Sequence, residues 1–142
     1  MRGLVATASV EIAATPETIW SALTDAAALK QFMFGSTITS TWKKGAPITW
    51  KGEWEGRPYE DKGTVLRSEP PRLLQYTHFS PLMGKPDQPE NYHTLMITLE
   101  PSGQKTRVTL EQDNNDTEDA RAHSRKNWEM MLASLKKFVE KK

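Results

Sequence analysis

The fold is decided by residues 116–142, which read DTEDARAHSRKNWEMMLASLKKFVEKK. Apolar residues recur here every three or four positions, as on one face of an α-helix. They are Trp128, Met131, Leu132, Leu135, Phe138 and Val139. Asp116 is predicted to cap this helix, and the acidic first turn and lysine-rich last turn suit the helix dipole. At ~1.5 Å per residue such a helix crosses a small domain, so its apolar face requires a partner layer.

Most of the chain before this helix shows the period-two alternation of β-strands. Strands are predicted at residues 5–13, 38–42, 48–54, 59–68, 73–79, 92–99 and 107–112. Turn residues separate them, and the short connections favour antiparallel pairing of sequence neighbours. A longer segment, residues 80–90, contains three prolines and one glycine and is predicted to form a surface loop.

Two short helices are predicted after the first strand. Thr15 is a suitable N-cap, Pro16 suits the first helical position, and Asp25 is predicted to cap the second helix, which ends before Gly35. The element order predicts an α+β domain of the helix-grip type. In it, a curved antiparallel sheet of about six or seven strands wraps around the long C-terminal helix and leaves a cavity between the layers.

Composition sets limits on function. The 142 residues suit one domain, taken as residues 1–142, and the absence of cysteine excludes disulfides and cysteine-based metal sites. The net charge of +1 gives no electrostatic footprint for nucleic acid. Neither a membrane span nor a signal peptide is predicted, because no apolar stretch is long enough, so a cytoplasmic location is expected.

Strand alternation predicts which side chains face the cavity. Candidate ligand-binding residues share the inward faces of the strands and of the long helix. They are Trp50, Trp54, Tyr76, His78, His93, Leu95, Ile97, Gln112, Trp128, Met131 and Leu135. Gly52 lies within this pattern and is expected to mark a bend or a close approach of the backbone. An apolar pocket with few polar groups is typical of a small-molecule site.

Catalytic chemistry finds little support in the sequence. His78 and His93 are expected to lie near each other, as a proton-transfer pair or as histidines satisfied by backbone or water. Neither has a second metal-ligating residue two positions away, so no metal or cofactor is predicted. Asp113 is predicted to point outward, and His123 to face solvent. Because nucleophile-elbow and phosphate-loop motifs are absent as well, no catalytic residue is assigned.

Several stretches resemble a known superfamily. Residues 11–25, EIAATPETIWSALTD, are similar to the opening of START-like (SRPBCC, birch-pollen-allergen-like) domains. Residues 63–77, GTVLRSEPPRLLQYT, resemble the branch related to the C-terminal domain of the heat-shock protein 90 ATPase activator. Residues 80–82, 89–92 and 112–114 show the same likeness. The resemblance implies the helix-grip fold, and other branches of the superfamily bind lipids or hormones or cyclise polyketides.

Three functions are therefore open. The first is a non-catalytic domain that binds a small hydrophobic or aromatic molecule. The second is a cyclase or lyase type of enzyme, with Tyr76, His78 or His93 as acid or base. The third is a co-chaperone-like or other protein-interaction domain, in a stress-related role. It predicts an exposed apolar patch, for which Trp42, Phe34 and Trp54 are candidates.

Overall fold

The computed structural model describes residues 2–33 and 35–141, with only the backbone described for Trp54 and Met83. Phe34 and Lys142 therefore lie outside the described residues. The elements are β1 (Leu4–Ile12), α1 (Pro16–Leu23), α2 (Ala26–Phe32), β2 (Thr37–Thr39), β3 (Pro47–Trp54), β4 (Arg57–Glu69), β5 (Leu73–His78), β6 (His93–Ser102), β7 (Lys105–Asn115) and α3 (Glu118–Glu140). Short 3-10 helices at Pro81–Met83 and Pro89–Asn91 occupy the predicted loop between β5 and β6.

The strands form one seven-stranded antiparallel sheet in the order β1-β7-β6-β5-β4-β3-β2. Each strand from β2 to β7 pairs with its sequence neighbours, as short connections favour. The exception is β1, which pairs along β7, with Leu4 opposite Asn115 and Ile12 opposite Thr106. The predicted α+β architecture of sheet, two short helices and long C-terminal helix is confirmed.

The two halves of α3 have different surroundings. Its second half contributes the buried residues Met131, Leu132, Leu135 and Val139 to the core. The Phe138 ring packs near the ring of Phe32 on α2, with centroids 5.9 Å apart. Its first half carries no buried side chain, and His123 to Trp128 include residues that border a cleft instead. The helix therefore closes the core at one end and leaves an opening at the other.

The caps of the short helices follow the prediction, whereas that of α3 does not. The side chains of Thr15 and Asp25 accept hydrogen bonds from backbone amides three residues later. On α3 the cap is Thr117, whose hydroxyl accepts from the Ala120 amide at 3.0 Å. Asp116, predicted as the cap, lies one residue too early to reach that amide, and its carboxylate accepts from Lys85 instead.

Removal of the Thr117 hydroxyl tests this cap. We expect Thr117→Ala to lower the free energy of unfolding by about 1 kcal/mol, because the Ala120 amide loses its acceptor. Asp116→Ala should cost less than about 0.5 kcal/mol, because the ion pair it removes is exposed. Urea unfolding of both variants measures the two effects. A larger loss in Asp116→Ala would reverse the cap assignment.

Asp113 also differs from its prediction as an outward-facing residue. It is only 1% exposed, and its carboxylate accepts from the Thr94 amide at 2.6 Å and the Arg2 amide at 3.0 Å. The cause is a register shift against β1 at this point in β7, where Asn114 adopts a positive φ of 57°. Such a bulge breaks the alternation on which the prediction relied.

The membrane prediction can be compared with the helices. Within residues 2–33 and 35–141, no helix combines the length and apolar character needed to span a bilayer. The cytoplasmic location stays a prediction.

Candidate ligand-binding cleft

An open cleft of about 840 Å³ lies between the first half of α3 and the sheet. The strands β3 to β7 all contribute side chains to it, and the segment after β5 forms part of the rim. Its volume falls within the range of roughly 300–1,000 Å³ found for small-molecule sites. The cleft is thus the place where the predicted site residues can be compared with the structure.

Most of the predicted residues with described side chains line this cleft. They are Trp50, Tyr76, His78, His93, Leu95, Gln112 and Trp128. Ile97, Met131 and Leu135 lie elsewhere, at 3% exposure or less in the hydrophobic core. Met131 and Leu135 follow Trp128 towards the core end of α3. The apolar face of α3 therefore lines the cleft at Trp128 and packs into the core beyond it. The Trp54 side chain lies outside the described residues.

Aromatic rings form one wall of the cleft. The Trp50 ring lies 5.8 Å from Tyr76 and 4.8 Å from His78 between centroids, the second pair edge-to-face. Trp42, predicted for an exposed patch, is half-buried and packs edge-to-face against Tyr76 at 6.5 Å. These contacts hold the Tyr76 and His78 rings in place.

Tyr76 brings a polar atom to this apolar wall. Burial raises the pKa of Tyr76, so the phenol stays protonated at neutral pH. None of the described residues hydrogen-bonds its hydroxyl, although the residue is only 6% exposed. The hydroxyl is therefore a donor available to a molecule in the cleft.

A carboxylate that the sequence reasoning missed lies beside His78. The Nε2 of His78 and the Oδ2 of Asp61 are 2.9 Å apart. The second oxygen, Oδ1, is buried and has no hydrogen-bond partner among the described residues, which is rare for a buried polar atom. The register of the β3–β4 hairpin could have identified Asp61. Counting outward along both strands from the Glu55-Gly56 turn places Asp61 directly opposite Trp50, on the same sheet face.

His93 lies directly opposite His78 in the β5–β6 pairing, as expected. Its Nδ1 is 2.8 Å from the Asp113 backbone oxygen, and since a carbonyl only accepts, Nδ1 carries a proton. Burial lowers the pKa of His93, which keeps the imidazole neutral near pH 7. Nε2 therefore carries a lone pair. Among the described residues, no group of three metal-ligating side chains is arranged to hold an ion.

The lowered pKa of His93 predicts an acid-sensitive fold. Because the folded pKa lies below the ordinary value of 6.5, the unfolded chain binds more protons, and stability is lost as the pH falls below about 6.5. We expect His93→Gln to lose less stability than the parent protein between pH 7.5 and pH 5.5. Urea unfolding at both values measures this. An equal loss of stability in both proteins would contradict this prediction. Glu11 and Glu140 also have lowered pKa values, but they affect stability only at lower pH.

Hydrogen bonds fix the polar groups on the other walls. Trp128 Nε1 donates to the Gln112 side-chain oxygen, which ties α3 to β7 at the cleft. The hydroxyls of Tyr59 and Ser36 are 2.7 Å apart. The Tyr59 ring covers Gly52, where a Cβ would lie 2.7 Å from its hydroxyl oxygen. The close approach at Gly52 is therefore made by a side chain, and no second backbone segment in the described part of the chain lies against such a Cβ.

Apolar side chains form part of the rim of the cleft. In the described part of the chain, the large hydrophobic side chains that are exposed are Leu66 at 38%, Leu82 at 44% and Met130 at 50%. Leu82 and Met130 both border the cleft. His123, predicted to face solvent, is exposed but also lies on this rim. Two of these three exposed side chains thus lie at the cleft mouth, and Trp42 is not among them.

The sequence of this domain also matches a family of known proteins. A family model described as "Activator of Hsp90 ATPase homolog 1-like protein" matches residues 13–140. The chain belongs to this family. The predicted resemblance is confirmed. The long helix packed against an antiparallel sheet is the activator-homologue-like fold. No curated protein matches the sequence.

Solved structures of similar proteins agree with this activator-homologue-like fold. ChR145 from Cytophaga hutchinsonii is 51% identical, covers 97% of this chain and 94% of its own, and superposes with a TM-score of 0.86. The Aha1 dimer from Colwellia psychrerythraea is 25% identical over 96% of both chains, with a TM-score of 0.75. CalU16 from Micromonospora echinospora, 24% identical over 92% of this chain and 73% of its own, shares the fold with a TM-score of 0.72.

Proposed function

We propose that this domain binds a small, mainly aromatic molecule in the cleft between α3 and the sheet. The observation that carries the proposal is the cleft of about 840 Å³, which has aromatic rings on one wall and a lining surface that is mostly apolar. Small-molecule sites typically combine apolar and aromatic lining with a small number of placed polar groups. Trp50 and Tyr76 supply the flat surfaces against which an aromatic ring packs.

The apolar residues of the rim support the same proposal. Leu82 and Met130 leave apolar surface exposed at the mouth of the cleft. A bound molecule would cover part of that surface, and each Å² of apolar area removed from water contributes about 25 cal/mol. The rim therefore adds affinity for a molecule that projects from the cleft.

A blocked cleft tests the proposal. Asn127 lines the cleft on α3, whereas the neighbouring Lys126 is exposed and does not. We expect flavonoids and polyketide-like aromatics to quench Trp50 and Trp128 fluorescence saturably and to raise the melting temperature. Asn127→Phe should weaken this binding at least tenfold by occupying the cleft, while the matched variant Lys126→Phe keeps it.

Two results would count against a binding cleft. One is the absence of saturable binding by every aromatic compound, with fatty acids and polar compounds as comparison sets. The other is equal affinity in Asn127→Phe and the parent protein, since binding would then occur elsewhere. Calorimetry settles the second case, because its signal does not depend on the tryptophans.

A second candidate function is acid–base catalysis of the cyclase or lyase class. The specific observation is the 2.9 Å contact between His78 and Asp61 inside the cleft, because a carboxylate orients an imidazole for proton transfer. A linear poly-β-ketone thioester is the probe substrate, and its cyclised product is measured. His78→Asn should then reduce turnover by roughly 10²–10⁴-fold with little change in affinity. Unchanged turnover in a triple variant of Tyr76, His78 and His93 would remove this candidate.

A further inference from the structure

We infer that β1 and the neighbouring face of α3 form an interaction surface for a second copy of this chain, which lies antiparallel to the first about a two-fold axis. The two seven-stranded sheets then join edge to edge, and the two α3 helices lie side by side. The inference goes beyond the proposed function, because this surface and the cleft lie on different sides of α3. Two independent observations carry it: an open strand edge and a row of self-complementary charges.

One long side of β1 is open to a further strand. β1 stands at the end of the strand order, with β7 on one side and no described strand on the other. Leu4 turns its carbonyl oxygen to Asn115 on the β7 side, whereas Glu11 turns its carbonyl oxygen to Lys136 of α3. Because successive residues of a strand direct their backbone groups to alternate sides, the odd-numbered residues from Val5 to Glu11 face the open side.

β1 lacks the protection that free edges usually have. Natural proteins guard such edges with lysines, prolines, bulges or very short strands. Residues 4–10 read LVATASV, without charge or proline, and the register shift between β1 and β7 places its extra residue on β7. The opposite edge of the sheet, β2, is only three residues long, Thr37–Thr39. Of the two edges, β1 is therefore the one that suits pairing with a further strand.

A row of charged side chains on α3 lies beside this open edge. Its members fall within about 60° of one another around the helix axis. They are Arg125, Glu129, Lys136 and Glu140. The Lys136 ammonium donates to the Glu11 carbonyl oxygen, and the Glu140 carboxylate accepts from the Ala13 amide, which places the row on the outer side of β1. Asn127, which borders the cleft, lies on the other side of the helix.

The charge row is complementary to a reversed copy of itself. Arg125 and Glu140 lie equally far from a point just before Ala133, and so do Glu129 and Lys136. Each of these pairs combines a positive with a negative side chain. A second α3 laid antiparallel about that point therefore brings every charge of the row opposite a counter-charge. Ala133, which is small and exposed, leaves room for the two helices to approach.

The strand edge and the charge row specify the same axis. Lys136 lies at Glu11, near the end of β1, while Ser124 is joined through Asn115 to Leu4 at its start. α3 and β1 therefore run in the same direction, and the point that relates the charges lies alongside the middle of β1. This agreement favours a second copy of the chain over an unrelated peptide, because two elements of one chain indicate one two-fold axis.

A second β1 that pairs antiparallel about Ala8 uses this axis. Thr7 then lies opposite Ser9 of the second copy, and Val5 lies opposite its Glu11. All of these residues direct their backbone groups to the open side, so a regular ladder can form. Glu11 carries the only charge in β1, and the pairing keeps its two copies at opposite ends of the new ladder.

Charge reversal in the row tests the interface. In sedimentation equilibrium at low ionic strength, we expect the parent protein to form a dimer whose fraction rises with protein concentration. Glu129→Lys and Lys136→Glu each put like charges opposite each other at two places, and each should weaken dimerisation at least about tenfold. Glu60→Lys and Lys137→Glu are the matched controls. They make the same changes in net charge at exposed residues outside the row and should leave the dimer unchanged.

An equimolar mixture of Glu129→Lys and Lys136→Glu should restore dimerisation. In the mixed dimer the introduced lysine faces the introduced glutamate, and the native Lys136 of one copy faces the native Glu129 of the other. Variants that had only lost stability would not rescue each other in this way. Thr7→Pro tests the strand, because it removes an amide on the open side and should prevent dimerisation. Edge strands tolerate proline at such positions, and circular dichroism checks that the fold is kept.

A parent protein that remains monomeric at millimolar concentration overturns the inference. A dimer that both single variants retain, or that their mixture fails to restore, overturns it as well. If Lys136→Glu does not fold, because it also loses the bond to Glu11, the comparison of Glu129→Lys with Glu60→Lys decides. None of these substitutions borders the cleft, so each result is independent of those for aromatic binding.

Discussion

Replacement of Gly63 by alanine is expected to prevent stable folding, with a loss of at least ~4 kcal/mol in the free energy of unfolding. A Cβ at this position would lie 1.8 Å from the backbone oxygen of Thr77 and 2.7 Å from its carbonyl carbon. The obstacle is backbone, not a flexible side-chain end. β5 cannot retreat, because Thr77 is paired on its other side with Thr94 of β6.

Gly103→Ala is the matched control for this variant. Gly103 has a φ of +66°, but a Cβ there meets nothing within 4 Å. Its replacement should cost about 1–2 kcal/mol through the left-handed backbone conformation alone. Circular dichroism and urea unfolding compare the two variants. Similar stabilities would show that the close approach at Gly63 does not constrain the sheet.

Leu135→Ala is expected to lower the free energy of unfolding by about 2–5 kcal/mol. Leu135 is fully buried on the core half of α3, so truncation removes apolar contacts and leaves a cavity. Met130→Ala, at a residue 50% exposed, should change stability by no more than about 0.5 kcal/mol. Chemical denaturation of both variants measures the difference.

Leu135→Ala also tests whether Leu135 belongs to the core or to the cleft. Leu135 does not border the cleft, so a folded Leu135→Ala protein should keep the affinity of the parent protein for aromatic probes. A selective loss of affinity, with stability unchanged, would return Leu135 to the ligand-binding residues that the sequence predicts.

The fold was predictable because its patterns are long. The period-two strands and the apolar face of α3 each repeat over many residues, and together they predict a sheet packed against one helix. The same patterns indicated the inward faces of the strands, which brought Tyr76, His78 and His93 to one cleft. Alternation along a regular strand determines such positions directly.

The remainder of the site depends on features that no single pattern contains. Helical periodicity identifies the buried face of α3 but not where along its length the core ends, which is why Met131 and Leu135 lie outside the cleft. Asp61 required the register of the β3–β4 hairpin as well as its alternation. The burial of Asp113 depends on a bulge and a positive φ at Asn114, which the residue types alone do not predict.

The pairing of β1 with β7 has a consequence for how the chain reaches its native state. Strands β3 to β6 pair with sequence neighbours, whereas Leu4 must meet Asn115. Contacts between residues so distant in sequence form late, because a long loop must close first, and they reduce the folding rate. During synthesis the central hairpins can assemble early, but β1 waits for β7 to emerge, and α3, which packs on β1, follows. The cleft, which the first half of α3 borders, is thus complete only after α3 has packed on the sheet.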